Sequence, residues 1–298
     1  MFEQLLYSHL QTFNTELSQH LAQHNNRMAI FNQEAPDDKS SGWGKGSQYG
    51  RIVFAVHLQD NSERIVSGTL MVDVICQSGK QIPEDLEAIV RPLIDGYFFT
   101  DTNQTIAAQW SASHYFTDPE KKEEGVTLTY NLLAFPLQTT ISPDPIQLIN
   151  EYTKELIPNS CVIGLDTIQT AWKPNNNTPA IYWRLVNIAP CSWIPSTYAC
   201  EWQTATCQAH ILAPDKEIET QLSRILDNGF SFKKSLQFLD GTYMRIDQNI
   251  RINPGADALK QGQLTVEGTY GILRQYKSDT IKHIYINGEE IGKGETNG

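Results

Sequence analysis

One order of elements is written twice along this chain, and that repetition constrains the fold more than any single motif does. Phe2, Leu5, Leu6, Leu10, Phe13, Leu17 and Leu21 recur at three- and four-residue steps, which predicts an N-terminal helix. A short apolar run, "RMAIF", and a glycine-rich loop follow. "RIVFAVHL" (51–58) and "SGTLMVDVICQ" (67–77) are rich in β-branched residues and read as strands, with Leu70, Val72, Val74 and Cys76 on one face. Pro83, Glu84 and Asp85 open a second helix, because proline suits the first turn and acids suit the positive end of the helix dipole. Its stripe is Leu86, Ile89, Val90, Leu93 and Ile94; Pro92 would kink or shorten it, and Asp95-Gly96 stops it. Strands at 105–116 and 126–135, joined by the polar turn "TDPEKKEEG", complete the first set.

After the proline-rich stretch 136–147 the order returns. "PIQLINEYTKELI" is a helix, "CVIGL" a short apolar run, and 179–188 and 200–210 are strands. Pro214, Asp215 and Glu217 open a helix whose stripe is Ile218, Leu222, Ile225 and Leu226, with Asp227-Asn228-Gly229 as its stop. "GTYMRIDQNIRI" and "QLTVEGTYGIL" close the set. At an offset of 132, Leu86, Glu87, Val90, Leu93, Ile94 and Asp95 fall on Ile218, Glu219, Leu222, Ile225, Leu226 and Asp227. At 131, Cys76-Gln77 falls on Cys207-Gln208; at 129, Asp37, Trp43 and Ile52 fall on Asp166, Trp172 and Ile181. A period near ~130 exceeds that of solenoid repeats and indicates tandem domains. The expectation is an α+β chain, two copies of a small mixed sheet with helices packed on it. The bounds are 1–137 for the first copy, 138–144 for a linker, 145–278 for the second copy, and 279–298 for a hairpin and tail. Asn287-Gly288 between "HIYI" and "EEI" marks the hairpin.

Composition narrows the function. A net charge of −11 argues against a protein that reads nucleic acid by neutralising phosphates, though not against a surface that nucleic acid slides past. Five cysteines, Cys76, Cys161, Cys191, Cys200 and Cys207, lack C-x-x-C spacing and read as reduced thiols, those at 200 and 207 on opposite faces of a strand. "MFEQLLYSHLQTF" lacks the features of a secretory leader, and no run has the ~18 apolar residues of a membrane span. A reducing cytoplasm is the expected place of synthesis.

Candidate chemistry is sparse. "KSSGWGKGSQYG" (39–50) is not a phosphate loop: Lys45 is followed by Gly46, and a strand rather than a helix comes next. His20 and His24 have ligand spacing but no acidic or thiol partner tied to them. Asp118, Glu120, Glu123 and Glu124 sit with Lys121 and Lys122 in a turn that reads as solvated. No catalytic, cofactor-binding or metal-ligating residue is expected. The tryptophans are the candidates for partner contact: Trp43 with Lys45 and Trp172 with Lys173 in matching loops, and Trp193 and Trp202 in "PCSWIPSTYACEW". The bland alternative folds each loop back over its own core.

In this order of elements, and above all in "GTLMVDVICQSGKQIPEDLEAIVRPLIDG" and "YFTDPEKKEEGVTLTYNLLAF", the chain resembles the tail-completion or tail-terminator proteins of long-tailed phages. The resemblance covers 1–136 and, more loosely, 145–273. It implies a small mixed sheet, no enzymatic activity, and a ring that caps the tail tube and joins it to the head, with DNA passing through. Its implied partners are further copies of itself, the tail-tube protein and the head-connector protein; no membrane is involved. Members are usually one domain of about half this length, so six copies would build a double or decorated ring and three a pseudo-sixfold one. The implied location is the virion tail or neck, after assembly in the host cytoplasm. The alternative is a tandem adaptor or baseplate module that grips a partner through its tryptophan loops.

Overall fold

The computed structural model describes residues 2–12, 17–44, 48–59, 67–138, 140–247, 250–273, 283–286 and 289–293, the last two segments by backbone alone. The first half comprises α1 (Phe2–Thr12), α2 (Leu17–His20), β1 (Gln23–His24), β2 (Arg27–Met28), β3 (Ile30–Asn32), β4 (Arg51–Leu58), β5 (Gly68–Gln77), α3 (Pro83–Val90), β6 (Phe98–Thr100), β7 (Gln104–Asp118) and β8 (Glu123–Pro136). The second comprises α4 (Pro145–Leu156), β9 (Cys161–Ile163), β10 (Ala171–Trp172), β11 (Ala180–Pro190), β12 (Cys200–Leu212), α5 (Lys216–Lys233), β13 (Ser235–Gln237), β14 (Tyr243–Ile246), β15 (Arg251–Ile252) and β16 (Leu264–Leu273). A hairpin, β17 (His283–Ile286) and β18 (Glu289–Lys293), follows with Ile286 opposite Glu289; its linking residues Asn287 and Gly288 lie outside the described residues.

The fold is α+β, and the duplication is real at the level of strand order. The first sheet runs β6-β7-β8-β5-β4-β3 and the second β13-β14-β16-β12-β11-β9. Each ends in a short parallel pair, β3 on β4 and β9 on β11, and the named neighbours between are antiparallel. Alternation builds both cores: Leu70, Val72, Val74 and Cys76 are fully buried in one, and Ala205, Cys207, Ala209 and Ile211 in the other. α1 and α3 cover the first sheet, and α4 and α5 the second. All five cysteines are free thiols.

The registers give residue equivalences that identity alone misplaces. Ile52 pairs with Ile30 and Ile181 with Val162 at the parallel ends, so Ile52 and Ile181 correspond, as the offset of 129 predicts. Carried across the sheet, Val74 then matches Ile211, Leu70 matches Cys207, Ile106 matches Met244 and Phe99 matches Leu236. Cys76 therefore does not correspond to Cys207. The longer β11–β12 hairpin, which separates Ile181 from its partner Ile211 more widely than Ile52 from Val74, displaces the offset there. In the helices the offset of 132 holds: Glu87 and Glu219 are both buried, as are Ile94 and Leu226.

Two further expectations are corrected. Asp227-Asn228-Gly229 does not end α5, which continues to Lys233 before Lys234 takes a left-handed φ of 61°. Gly229 is a contact glycine: a Cβ there would lie 2.4 Å from Leu156 Cδ1, and its carbonyl accepts the Tyr152 hydroxyl at 2.9 Å. The turn after Asp118 is only partly solvated. Glu123 is buried and accepts from Arg51 Nη2 at 2.7 Å, while Arg51 Nη1 reaches Asp38 at 2.5 Å. At Pro92, α3 tightens into a 3-10 turn over Arg91–Leu93, which is the expected shortening. Phe13 of the first helical stripe falls outside the described residues.

Candidate functional site

The two halves meet through a strand that one lends the other. β10, from the loop between β9 and β11, adds antiparallel to the free side of β6, with Ala171 opposite Phe99 and Trp172 opposite Phe98. Thr100 donates its backbone N–H to Thr170 O at 3.0 Å. Two residues of strand carry little by themselves, and the side chains do the rest. The Trp172 ring meets Phe98 edge-on at 5.1 Å, Phe98 stacks on Phe135 at 5.8 Å, and Phe135 meets Tyr182 at 5.3 Å. Lys173 Nζ donates to Asp95 O at 2.7 Å, capping the carbonyl end of the helical segment, and lies over the Tyr97 ring at 5.8 Å. Tyr182 Oη donates to Pro136 O at 2.8 Å. Phe98, Ala107, Phe135, Ile163, Ala180, Tyr182, Leu212 and Ala258 form a third buried cluster that belongs to neither half alone.

The matching loop of the first half behaves differently. Trp43 forms an isolated antiparallel bridge with His24 of β1. Asn25 N–H donates to Gly42 O and Gly44 N–H to Gln23 O, each at 2.8 Å. The ring sits 5.0 Å from His24 and 5.7 Å from Phe31, and Nε1 donates to Asp37 O at 3.1 Å. Trp43 thus lies over its own β3, as Trp172 shares a cluster with Ile163 of β9. Lys45 lies outside the described residues. Trp193 is 52% exposed with the Arg245 guanidinium 5.4 Å from its ring, and Trp202, partly buried, closes its strand through Cys191 N–H to Trp202 O at 2.9 Å.

Sequence reasoning brought Trp172 and Lys173 forward as partner contacts, and the structure gives both to the other half of their own chain. It missed β1, β2, β6, β10 and β13, whose two or three residues carry no periodicity. A cleft of about 430 Å³ runs along the junction. Its charged groups are already paired: Lys173 as above, and Lys216 Nζ to Glu219 Oε2 at 2.7 Å and to Ala256 O at 2.9 Å. Among the described residues no three His, Cys, Asp or Glu side chains are gathered as a metal ion would need, and no helix is long and apolar enough to cross a membrane.

The best-organised polar cluster lies on the first half. Glu87 accepts from Ser113 Oγ at 2.6 Å, from the Tyr115 hydroxyl, and from Arg91 at 3.4 Å. Burial alone would raise its carboxyl; the Ser113 and Tyr115 hydrogen bonds and the Arg91 charge outweigh that and hold it below its usual value. The bond to Glu87 pushes the Tyr115 phenol up to about 12. In an open groove this could hold a proton in place, but Ser113, Tyr115 and Arg91 occupy the carboxylate, which makes it a clamp between α3 and β7. Compared with known proteins, the chain matches no family model and no curated sequence.

Proposed function

We propose that this chain is a non-enzymatic structural subunit of a phage or phage-like tail, and that copies of it form a ring terminating the tail tube and joining it to the head. The supporting observation is the junction: two copies of one fold joined by adding a strand of one to the sheet edge of the other. A unit built that way has the parts from which closed assemblies are made. The tail assignment itself rests on the resemblance carried by 67–96 and 115–135. The net charge of −11 suits a channel that DNA traverses without sticking. Partners on this reading are further copies, the tail-tube protein and the head-connector protein, at the neck of the virion. Native mass spectrometry and negative-stain imaging test it: a ring of three or six subunits that captures tail-tube protein is expected. A stable monomer at high concentration, indifferent to tail-tube and connector proteins, would overturn it.

A second reading, a tandem adaptor, draws on Trp193, which is half exposed beside Arg245. Trp193→Ala separates the two: an adaptor loses its partner while self-assembly stays intact.

A further inference from the structure

β13 stands in the second sheet where β6 stands in the first, and among the described residues no strand pairs with its outer side. Phe99 matches Leu236, so Tyr97, Phe98 and Thr100 match Lys234, Ser235 and Gln237. The ladder bonds agree: Ala108 N–H donates to Tyr97 O at 3.0 Å, and Ile246 N–H to Lys234 O at 2.8 Å. Lys234, Leu236 and Phe238 therefore turn their backbone groups to β14, while Ser235 and Gln237 turn theirs outward. Thr100 uses its outward N–H on β10; the N–H of Gln237 has no such strand among the described residues. Ser235, Leu236 and Gln237 themselves carry no charge or proline of the kind that protects an edge, and Lys233 and Lys234 lie just before them. Apolar side chains crowd the strand: Phe232 is 82% exposed, Leu239 88% and Tyr243 56%.

The piece that fits this edge is present in every copy. The loop bearing Trp172 supplies β10, and its equivalent bears Trp43 at the offset of 129. We infer that the Trp43 segment of one copy adds to β13 of another, repeating between chains the junction that β10 makes with β6 within one. The register carried over places Trp43 opposite Ser235, Gly42 opposite Leu236, and the Ser41 carbonyl at the Gln237 N–H. The inference deepens the ring reading and rests on its premise of self-assembly; it names the two surfaces and makes the contact head-to-tail.

Two differences between the halves fit this role. The first half has a hairpin, β1–β2, between its helices and β3, whereas in the second half Leu156 is followed within five residues by β9. That hairpin holds the Trp43 segment through one bridge, made of two backbone bonds, and the His24 ring, so it stows the segment in the free protomer and gives way to β13. The chemistry of the docking face also differs. Ala107, buried in the internal junction, is replaced by Arg245, and Ala180 by Arg51, which holds Asp38 and Glu123. Arg245 would then face a cluster of one cation and two carboxylates, so charges are complementary across the contact between chains. An apolar internal junction and a charged external one suit a permanent fold and an assembly formed later.

The test uses the full chain. Gln237→Pro removes the outward donor while leaving the β14 bonds, and Gln237→Thr keeps it as a control. Trp43→Ala removes the other side. Sedimentation should show assemblies for the wild type and Gln237→Thr, monomers for Gln237→Pro and for Trp43→Ala, and dimers alone when those two variants are mixed, since the mixture retains one competent junction. Circular dichroism and melting should match the wild type. A photo-reactive benzoylphenylalanine at 237, in a mixture of 15N-labelled and unlabelled chains, should cross-link to residues 39–44 of a different chain. Assembly of Gln237→Pro at wild-type strength, a monomeric wild type, or a cross-link to 283–293 would each overturn the inference, the last by giving the edge to the C-terminal hairpin. Head-to-tail assemblies that ignore tail-tube protein would sink the tail reading and leave this one standing.

Discussion

β6 and β13 hold the same place in two sheets of one strand order, yet β6 carries a further strand and, among the described residues, β13 carries none. The β6 edge carries Phe98 and Phe99, both buried, and takes its last strand from the other half. The β13 edge carries Ser235 and Gln237 with exposed apolar residues on either side. A duplicated fold uses its first junction to become one body, and the same surfaces at the far ends are then left over. The difference lies less in topology than in which side chains fill the equivalent positions.

The largest break in this comparison should come from Trp183, whose counterpart by register is Phe54. Trp183 is fully buried, packs on Phe230 at 5.5 Å and donates Nε1–H to Thr153 Oγ1 at 2.8 Å. Trp183→Ala should cost about 3–5 kcal/mol, from lost burial and the cavity left behind. Hydrogen exchange should rise in α4, α5 and β11 while β5 and β8 stay protected. Uniform exchange across both sheets would mean that the third cluster fuses them into one cooperative unit.

The first half offers the converse. Arg51 and Glu123 are both buried, and Ala180 holds the equivalent place in the second half. Glu123→Ala strips a buried cation of one partner and should cost about 3 kcal/mol, with the loss confined to β4 and β8. Adding Arg51→Met should recover part of it, because removing both charges is less costly than stranding one. A double variant less stable than the single, by urea midpoint, would show that Arg51 holds Asp38 for stability in its own right.

The long strands and most helices of both halves were legible because alternation, proline-acid helix starts and 3.6-residue stripes are local signals. The tandem order was legible for the same reason. Three things were not. The short strands β1, β2, β6, β10 and β13 have no period to read, and the pairing of β10 with β6 depends on a contact between halves. The match of Cys76 to Cys207 followed identity, while the longer β11–β12 hairpin, which separates Ile181 from its partner Ile211 more widely than Ile52 from Val74, moves the true offset. Asp227-Asn228-Gly229 has the composition of a helix stop, but burial of α5 against α4 overrides it. Gly229→Ala tests that account. Helix propensity alone would favour alanine, whereas the 2.4 Å approach to Leu156 predicts a net loss of about 1–3 kcal/mol. Leu156→Ala should show strong coupling with it in a double-mutant cycle; additive effects would mean that the glycine is not a contact residue.

The smallest effect distinguishes the two buried glutamates, Glu87 and Glu219, which correspond at the offset of 132. Glu219 accepts from Lys216, while Glu87 is held by Ser113, Tyr115 and Arg91. Burial pushes the Glu87 carboxyl up, and those bonds pull it below its unfolded value. Its stabilisation is therefore complete above the unfolded carboxylate range, near ~4.3, and is lost as pH falls through the lower folded value. Tyr115 has the opposite sign. Its phenol is raised from 10.0 to about 12, so its contribution is complete below pH 10 and disappears as pH climbs toward 12. The Tyr115–Glu87 hydrogen bond thus acts at both ends of the window, joined at the acid end by Ser113 and Arg91. Glu87→Gln should cost about 1 kcal/mol at neutral pH, flatten the acid arm, and bring the Tyr115 titration back toward 10 in ultraviolet absorbance. Glu219→Gln should leave the alkaline arm where it is. If both substitutions shift that arm equally, the tyrosine clamp does not distinguish the two helices, and their difference reduces to length.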